Sequence, residues 1–427
     1  MQQAALLSSG HFRVALVRGG LCFALDPPHP SRSILIEIIN VKNWMTQEEA
    51  CEALGVRQQT LYAYVSRGQI EVRGDPAHSN RKLYREADIA ALLSKRKLRR
   101  ARKSIAASTM AWGEPIVSTQ ISTVVRERLY YRGADAIRLA GHASLEAVAQ
   151  LLWDSSALPH FPSFAPDHGV DASQARAYAA IGRAAAEGRS AHGLPMHDMC
   201  QEAAVLIGRL ASGLIDLPAE ADALHLRIAR AWNAEMHADL LRRVLAMLAD
   251  QELTSSAFAA RVTASTGASL GACMLSGLAT LSGLLHGNAN VRVRALLDDV
   301  KQSGIETAVQ RWTASGAALP GFGHPLYPQG DPRAQALFQA FEPSEQSRAL
   351  IAHVESLTGQ KPAIDVALAC LAEHCHLPDG AAYSLFAIGR SVGWMAHSIE
   401  QFQSGSLLRP RAHYIGPAIA EVKDVER

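Results

Sequence analysis

Gly283-Leu284-Leu285-His286-Gly287-Asn288-Ala289-Asn290 is the stretch whose reading decides the fold. It closes a run, Val262 to Val291, that contains no Asp, Glu, Lys or Arg. Small residues crowd the run: Ala264, Gly267, Ala268, Gly271, Ala272, Gly277, Ala279 and Gly283. Its length would suffice to cross a bilayer. It is rich in Ser, Thr and Gly rather than Leu and Ile, however, and no asymmetry of positive charge flanks it. The run therefore reads as a helix buried inside a helical domain and packed closely through its small residues. A backbone with so little side chain also lets a substrate come near. A histidine among glycines and amides at the end of such a helix is a candidate functional group, not only a core filler.

The remaining composition fits this picture. A chain of 427 residues implies two or three domains. At 48% apolar and 19% charged it has ample material for a core. Six cysteines without CxxC spacing read as reduced thiols, so a cytoplasmic location is expected. The start, Met1-Gln2-Gln3, lacks the basic segment of a secretory leader. No Gly-rich phosphate loop and no HExxH or CxxC metal spacing occurs, so no metal site is expected.

Taken in order, residues 1–40 read as an N-terminal extension open to disorder, with Asp26-Pro27-Pro28-His29-Pro30 excluding regular structure. Ile34 to Ile39 reads as a short strand. From Trp44 the signals sharpen. Thr46-Gln47-Glu48-Glu49 is a capping box opening a helix that Gly55 stops. A second helix, Arg57 to Ser66, follows at once, which makes a helix-turn-helix. Ile70–Arg73 and Arg81–Tyr84, around a Gly74-Asp75-Pro76 turn, read as a hairpin wing. A third helix opens at Arg85-Glu86-Ala87-Asp88 and ends in Lys95-Arg96-Lys97-Leu98-Arg99-Arg100. Between Lys42 and Lys103 there are fourteen basic and seven acidic residues, a local charge of +7, in a chain whose net charge is only +2. A basic module of this kind suits phosphates and a major groove. Its candidate DNA contacts are Arg57, Gln58, Gln59, Thr60, Tyr62, Arg81 and Lys82. It resembles the winged helix-turn-helix of the MerR and excisionase type and spans 41–103, followed by a joint at 104–111. From Trp112 onward nearly everything has helical periodicity, as in Leu145, Val148, Ala149 and Leu152.

Three further clusters carry chemistry: Gly321-Phe322-Gly323-His324 followed by Asp331-Pro332-Arg333; Lys361-Pro362-Ala363-Ile364-Asp365; and Ala387-Ile388-Gly389-Arg390-Ser391-Val392-Gly393-Trp394-Met395-Ala396-His397, with Arg409-Pro410-Arg411 beyond it. Together with Gly283–Asn290, and with Leu129–Gly133 and Ser255–Val262, these blocks resemble the citrate synthase family over residues 112–427. The resemblance implies an all-α fold, with citrate synthase-like large and small helical domains, the small one roughly 288–375, preceded by the small winged helix-turn-helix domain. It also implies a Claisen condensation of an acyl-CoA (acetyl-CoA) with a 2-oxoacid (oxaloacetate). Such chemistry needs a carboxylate base and a donor at the developing enolate oxygen.

By resemblance Asp365 is the base, His286 the donor, and His324 the group that polarises the ketone. Arg333, Arg390 and Arg409 clamp carboxylates, because a planar guanidinium fits a carboxylate bidentately. The Arg409 position implies a homodimer with shared sites. No cofactor is implied beyond acyl-CoA as co-substrate, and no membrane. His397 reads as structural. Four positions depart from the family pattern: Gln251 replaces a histidine that holds the oxoacid, Leu284 a proline, Asn288 a glycine and Pro325 an arginine. Gln can donate and accept but cannot carry charge. The alternative reading is a DNA-binding regulator whose synthase-like body senses an acyl-CoA or an oxoacid.

Overall fold

The computed structural model describes residues 13–17, 20–24, 44–93 and 117–417, except 77, 166–168, 171, 220 and 413. The strand expected at 34–39, the basic run 95–100 and the joint 104–111 lie outside the described residues. The chain divides into two units, Met1–Glu114 and Pro115–Arg427.

In the first unit β1 (Arg13–Val17) and β2 (Gly20–Ala24) pair antiparallel. After β3 (Trp44–Met45), Thr46 opens α1 (Gln47–Leu54): its hydroxyl accepts the Glu49 N–H at 3.3 Å, and the Glu49 carboxylate accepts the Thr46 N–H at 2.8 Å. This reciprocal cap satisfies donors that a helix start leaves open. Gly55, at φ 61°, ends α1 in the left-handed conformation that glycine adopts without steric penalty. α2 (Gln58–Ser66) follows, then the wing of β4 (Val72–Asp75) and β5 (His78–Arg85), and residues 86–93 form α3. β3 adds a third strand that the sequence did not signal, pairing Trp44 with Arg85 in the order β3-β5-β4. Ala50, Leu54, Leu61, Ile70, Tyr84 and Ile89 form the core of this module.

The second unit opens on a small sheet, β6 (Ser122–Val125), β7 (Arg128–Tyr131) and β8 (Ala134–Asp135). Helices then follow: α4 (Ala136–Ala140), α5 (Leu145–Trp153), α6 (Ser173–Glu187), α7 (Met196–Leu214), α8 (Leu224–Ala231), α9 (Ala238–Leu248), α10 (Ser255–Ser265) and α11 (Leu270–Leu281). The second half contains α12 (Ala289–Ser303), α13 (Ile305–Thr313), α14 (Pro332–Ala340), α15 (Glu345–Thr358), α16 (Ile364–His374) and α17 (Ala381–Ser404). The body is thus helical, as expected. Among the described residues no helix is long and apolar enough to cross a membrane.

One expectation is corrected. The uncharged run Val262–Val291 is not a single helix. α10 ends at Ser265, Gly267 turns left-handed at φ 80°, and α11 starts afresh because the Ser269 hydroxyl accepts the Ala272 N–H at 3.1 Å. The run then leaves α11 in a turn that carries His286 into α12.

α17 is the axle of the unit and is buried nearly all round. Small residues let its neighbours come close. A Cβ on Gly277 of α11 would stand 2.6 Å from the Trp394 ring, and one on Gly393 would stand 2.4 Å from Ala249 O. Either contact is too short for a real side chain, so a larger residue at either position forces its neighbour to shift.

Candidate active site

His286 sits in the turn between α11 and α12. Its Nε2 lies 2.7 Å from Ser256 Oγ, and the Trp394 indole N–H donates to that same oxygen at 3.0 Å. Indole nitrogen only donates. Ser256 therefore takes the Trp394 proton on a lone pair and is placed to give its own proton to Nε2. With Ser256 donating to Nε2, the neutral His286 ring carries its proton on Nδ1. Burial, then the nearby Arg390 guanidinium, push the His286 pKa down to about 4, so the ring is neutral at pH 7. Phe386 stands edge-on to it. A neutral imidazole with a free Nδ1–H is a hydrogen-bond donor that carries no charge of its own. Ser256 is the functional residue that sequence reasoning passed over. It lay in plain sight in the Ser255–Val262 block, and only the fold shows what its hydroxyl touches.

Arg390 is fully buried. Its Nε donates to Leu248 O at 3.0 Å and its Nη1 faces Thr254 Oγ1 at 3.4 Å, while Nη2 is buried with no hydrogen-bond partner among the described residues. Burial lowers its pKa, and among the described residues no carboxylate pairs with it directly. A buried guanidinium with an unused N–H group calls for an anionic ligand. Asp365, at the start of α16, also lies within electrostatic reach of Arg390 and Arg333. Its Oδ1 is shielded from solvent and has no hydrogen-bond partner among the described residues, and burial raises its pKa to about 6. A carboxylate so placed is more basic than an ordinary aspartate.

Arg333 is engaged on both sides. Its Nε and Nη2 donate to the two oxygens of Asp331 at 3.0 and 2.8 Å, and its Nη1 donates to Gln251 Oε1 at 2.8 Å. Burial works against its charge, but the Asp331 carboxylate outweighs that and lifts its pKa. The Gln251 amide nitrogen stands 3.5 Å from His324 Nε2, so Gln251 lies between Arg333 and His324, with its amide and the ring in contact and not hydrogen-bonded. The Leu326 N–H donates to His324 Nδ1 at 3.1 Å, which places the proton of a neutral ring on Nε2. Burial and then Arg333 push the His324 pKa to about 4. A cleft of about 220 Å³ runs past His324, Tyr327, Asp331, Gln360 and Lys361.

The structure thus groups His286, His324, Asp365, Gln251, Arg333 and Arg390 around two buried guanidinium groups. It does not bring Arg409 to them. Arg409 lies exposed on the coil after α17 and makes no hydrogen bond or ion pair among the described residues. In the first unit Arg57, Gln58, Gln59, Thr60 and Tyr62 lie exposed at the start and along one side of α2, and Arg81 and Lys82 are exposed on β5. The Tyr62 hydroxyl donates to Gln47 Oε1 at 2.9 Å.

The sequence model of the citrate synthase C-terminal domain matches residues 161–411, more than half of the chain. The chain belongs to the citrate synthase family. A helix-turn-helix domain model matches residues 44–97. Among related citrate synthase sequences, "Putative citrate synthase 2" of Mycobacterium tuberculosis is 31% identical over 223 residues, covering 48% of this chain and 60% of that protein. The citrate synthase of Haloferax volcanii is 34% identical over 194 residues, covering 43% of this chain and 51% of that protein. The chain therefore spans about half to three-fifths of the curated relatives it matches. The crystal structure of citrate synthase from Thermotoga maritima superposes with a TM-score of 0.57 at 26% identity, covering 74% of this chain and 97% of that one. Citrate synthase from Thermoplasma acidophilum shares the fold, with a TM-score of 0.62 at 24% identity, covering 73% and 96%.

Proposed function

We propose that the chain condenses an acyl-CoA with a 2-oxoacid and releases CoA. One observation carries the reading. A carboxyl of raised pKa, Asp365, and an imidazole held neutral, His286, share one buried guanidinium, Arg390, that has an N–H group to spare. Asp365 takes a proton from the carbon next to the thioester carbonyl. His286 Nδ1–H stabilises the enolate oxygen that forms. The enolate carbon attacks the oxoacid ketone, whose oxygen His324 Nε2–H polarises and protonates as the C–C bond forms, and water then hydrolyses the thioester to free CoA. Arg390 and Arg333 hold the acceptor's carboxylate groups. Arg409 of a second copy completes the clamp in a homodimer. The reaction needs no metal and no prosthetic group, since acyl-CoA is itself a substrate. Acetyl-CoA and oxaloacetate are the first pair to test. Free CoA thiol should appear with wild type and fall at least about 1,000-fold with Asp365→Asn, a loss of about 4 kcal/mol of barrier reduction. Equal release by both proteins defeats the reading.

A second activity rests on the first unit. The exposed polar side of α2 and the cations on β5 support binding of duplex DNA by this module, alongside the condensation or as the output of a sensor. A wild type that binds duplex DNA and acetyl-CoA but releases no CoA favours the sensor.

A further inference from the structure

We propose that His397 and Ser122 are positioning residues for the oxoacid corner of the site, acting through the buried carboxylate of Asp250. The identity of the ligand rests on the condensation reading above. Arg390, Gly393 and His397 fall along one face of α17, three and seven residues apart. Each meets the segment that leads from α9 to Gln251. Arg390 Nε donates to Leu248 O and the Gly393 N–H donates to Ala249 O, both at 3.0 Å, and His397 Nε2 lies 3.3 Å from Asp250 Oδ2. Arg261 Nη1 lies 3.2 Å from His397 Nδ1 and can only donate, so the His397 proton is on Nε2, facing Asp250.

The small sheet holds the same segment from its other side. The Ser122 hydroxyl donates to the same Asp250 Oδ2. The Glu252 N–H donates to Ser122 Oγ at 2.8 Å, and the Asp250 N–H donates to the Tyr131 hydroxyl at 3.2 Å. Glu252 stands at φ 53°, a strained value for a residue with a side chain. Ser122 and Tyr131 both lie outside the region that the family's C-terminal domain model covers.

These contacts have one consequence for charge. Asp250 Oδ1 and Arg390 Nη2 are both buried and both without a hydrogen-bond partner among the described residues, and the two groups lie within electrostatic reach of each other. Opposite charges in a dry interior pair when they are free to do so. Two donors fixed on Oδ2, with no room to spare beside Gly393, keep Asp250 from turning to Arg390. Arg390 therefore keeps an N–H group for the ligand's carboxylate. Gln251, the next residue, stays aimed at Arg333 and His324.

The test uses the full chain and calorimetric titration with oxaloacetate and, separately, acetyl-CoA. His397→Leu removes the donor. His397→Gln restores an N–H for Asp250 and a carbonyl for Arg261. His397→Leu should weaken oxaloacetate binding at least tenfold and change acetyl-CoA binding less than twofold, with His397→Gln within threefold of wild type for both. A purely structural role would lower the melting temperature without this split. Wild-type affinity in His397→Leu overturns the proposal, and so does a His397→Gln variant as weak as His397→Leu. Should His397→Leu fail to fold, Ser122→Ala removes the other bond to Oδ2 and must weaken oxaloacetate at least fivefold; no change overturns the proposal. A wild type that binds oxaloacetate but releases no CoA refutes only the condensation. A wild type that binds no oxaloacetate refutes the positioning role.

Discussion

Asp365 and His286 are held in opposite protonation biases, and each makes a prediction. The Asp365 pKa is raised from 3.8 to about 6 by burial. Its base form therefore dominates only above pH 6, and CoA release should fall about tenfold per pH unit below that value. The stability sign follows from the same shift. A carboxyl whose folded pKa exceeds its unfolded value costs stability once the pH rises above the unfolded value, and the cost grows until the pH passes 6. Asp365→Asn should thus melt at a higher temperature than wild type at pH 7.5, and the gap should close at pH 4. A higher melting temperature for wild type at pH 7.5 would remove the buried-base assignment. His286 works the other way. With its folded pKa lowered to about 4, the fold resists protonation, and stability is lost as the pH falls below the ordinary histidine value of about 6.5. Ser256→Ala should leave His286 neutral but free to turn, lowering kcat by about 10- to 100-fold, on the order of the roughly 1–3 kcal/mol of a buried group left unpaired. An unchanged kcat would mean that Ser256 only packs.

Elements show where the sequence was legible and where it was not. The α1 capping box, Gly55 and the wing were readable because each depends on contacts within a few residues. The family blocks were readable as well, and the structure groups most of their side chains. The break between α10 and α11 was hidden, since Ser269 caps a helix inside an uncharged run where Ser also serves as a small packing residue. The β6–β7 hairpin was missed because its strands are four residues each, too short for a clear alternation. What no pattern could show is the seam along α17, where Gly393 matters for the residue opposite it. A Cβ there would meet Asp250 Oδ1 and Ala249 O at 2.3 and 2.4 Å. Gly393→Ala should destabilise the second unit by about 1–3 kcal/mol, the usual cost of overpacking. Differential scanning calorimetry should show the loss as a melting temperature roughly 2–12 °C lower. A wild-type melting curve would show that α17 and the 248–250 segment slide apart at no cost.

At the scale of the whole molecule, the two units make separate claims. For the first unit, the exposed cations Arg57, Arg67, Arg81 and Lys82 offer about four phosphate contacts, while Arg85 is tied to Glu71 at 2.7 Å. Affinity for duplex DNA should fall roughly 100-fold between 50 and 200 mM salt, as counterion release predicts for four contacts. Replacing Arg81 and Lys82 with Ala should flatten that slope by about half, and a flat slope in wild type would end the DNA reading. For the second unit, the prediction concerns Arg409. Arg390 has an unused N–H group in the interior, and Arg409 is exposed with no partner among the described residues. If a second copy delivers Arg409, the site that holds the intact Asp365 of one chain also needs the other chain's Arg409. An Arg409→Ala chain and an Asp365→Ala chain should each be nearly inactive alone. After subunit exchange at equal concentrations, half the dimers are mixed, and each mixed dimer has one complete site. About a quarter of wild-type activity should return, as twofold symmetry requires. If Arg409 acts within its own chain, a mixed dimer contains no complete site and the mixture stays as inactive as its parents.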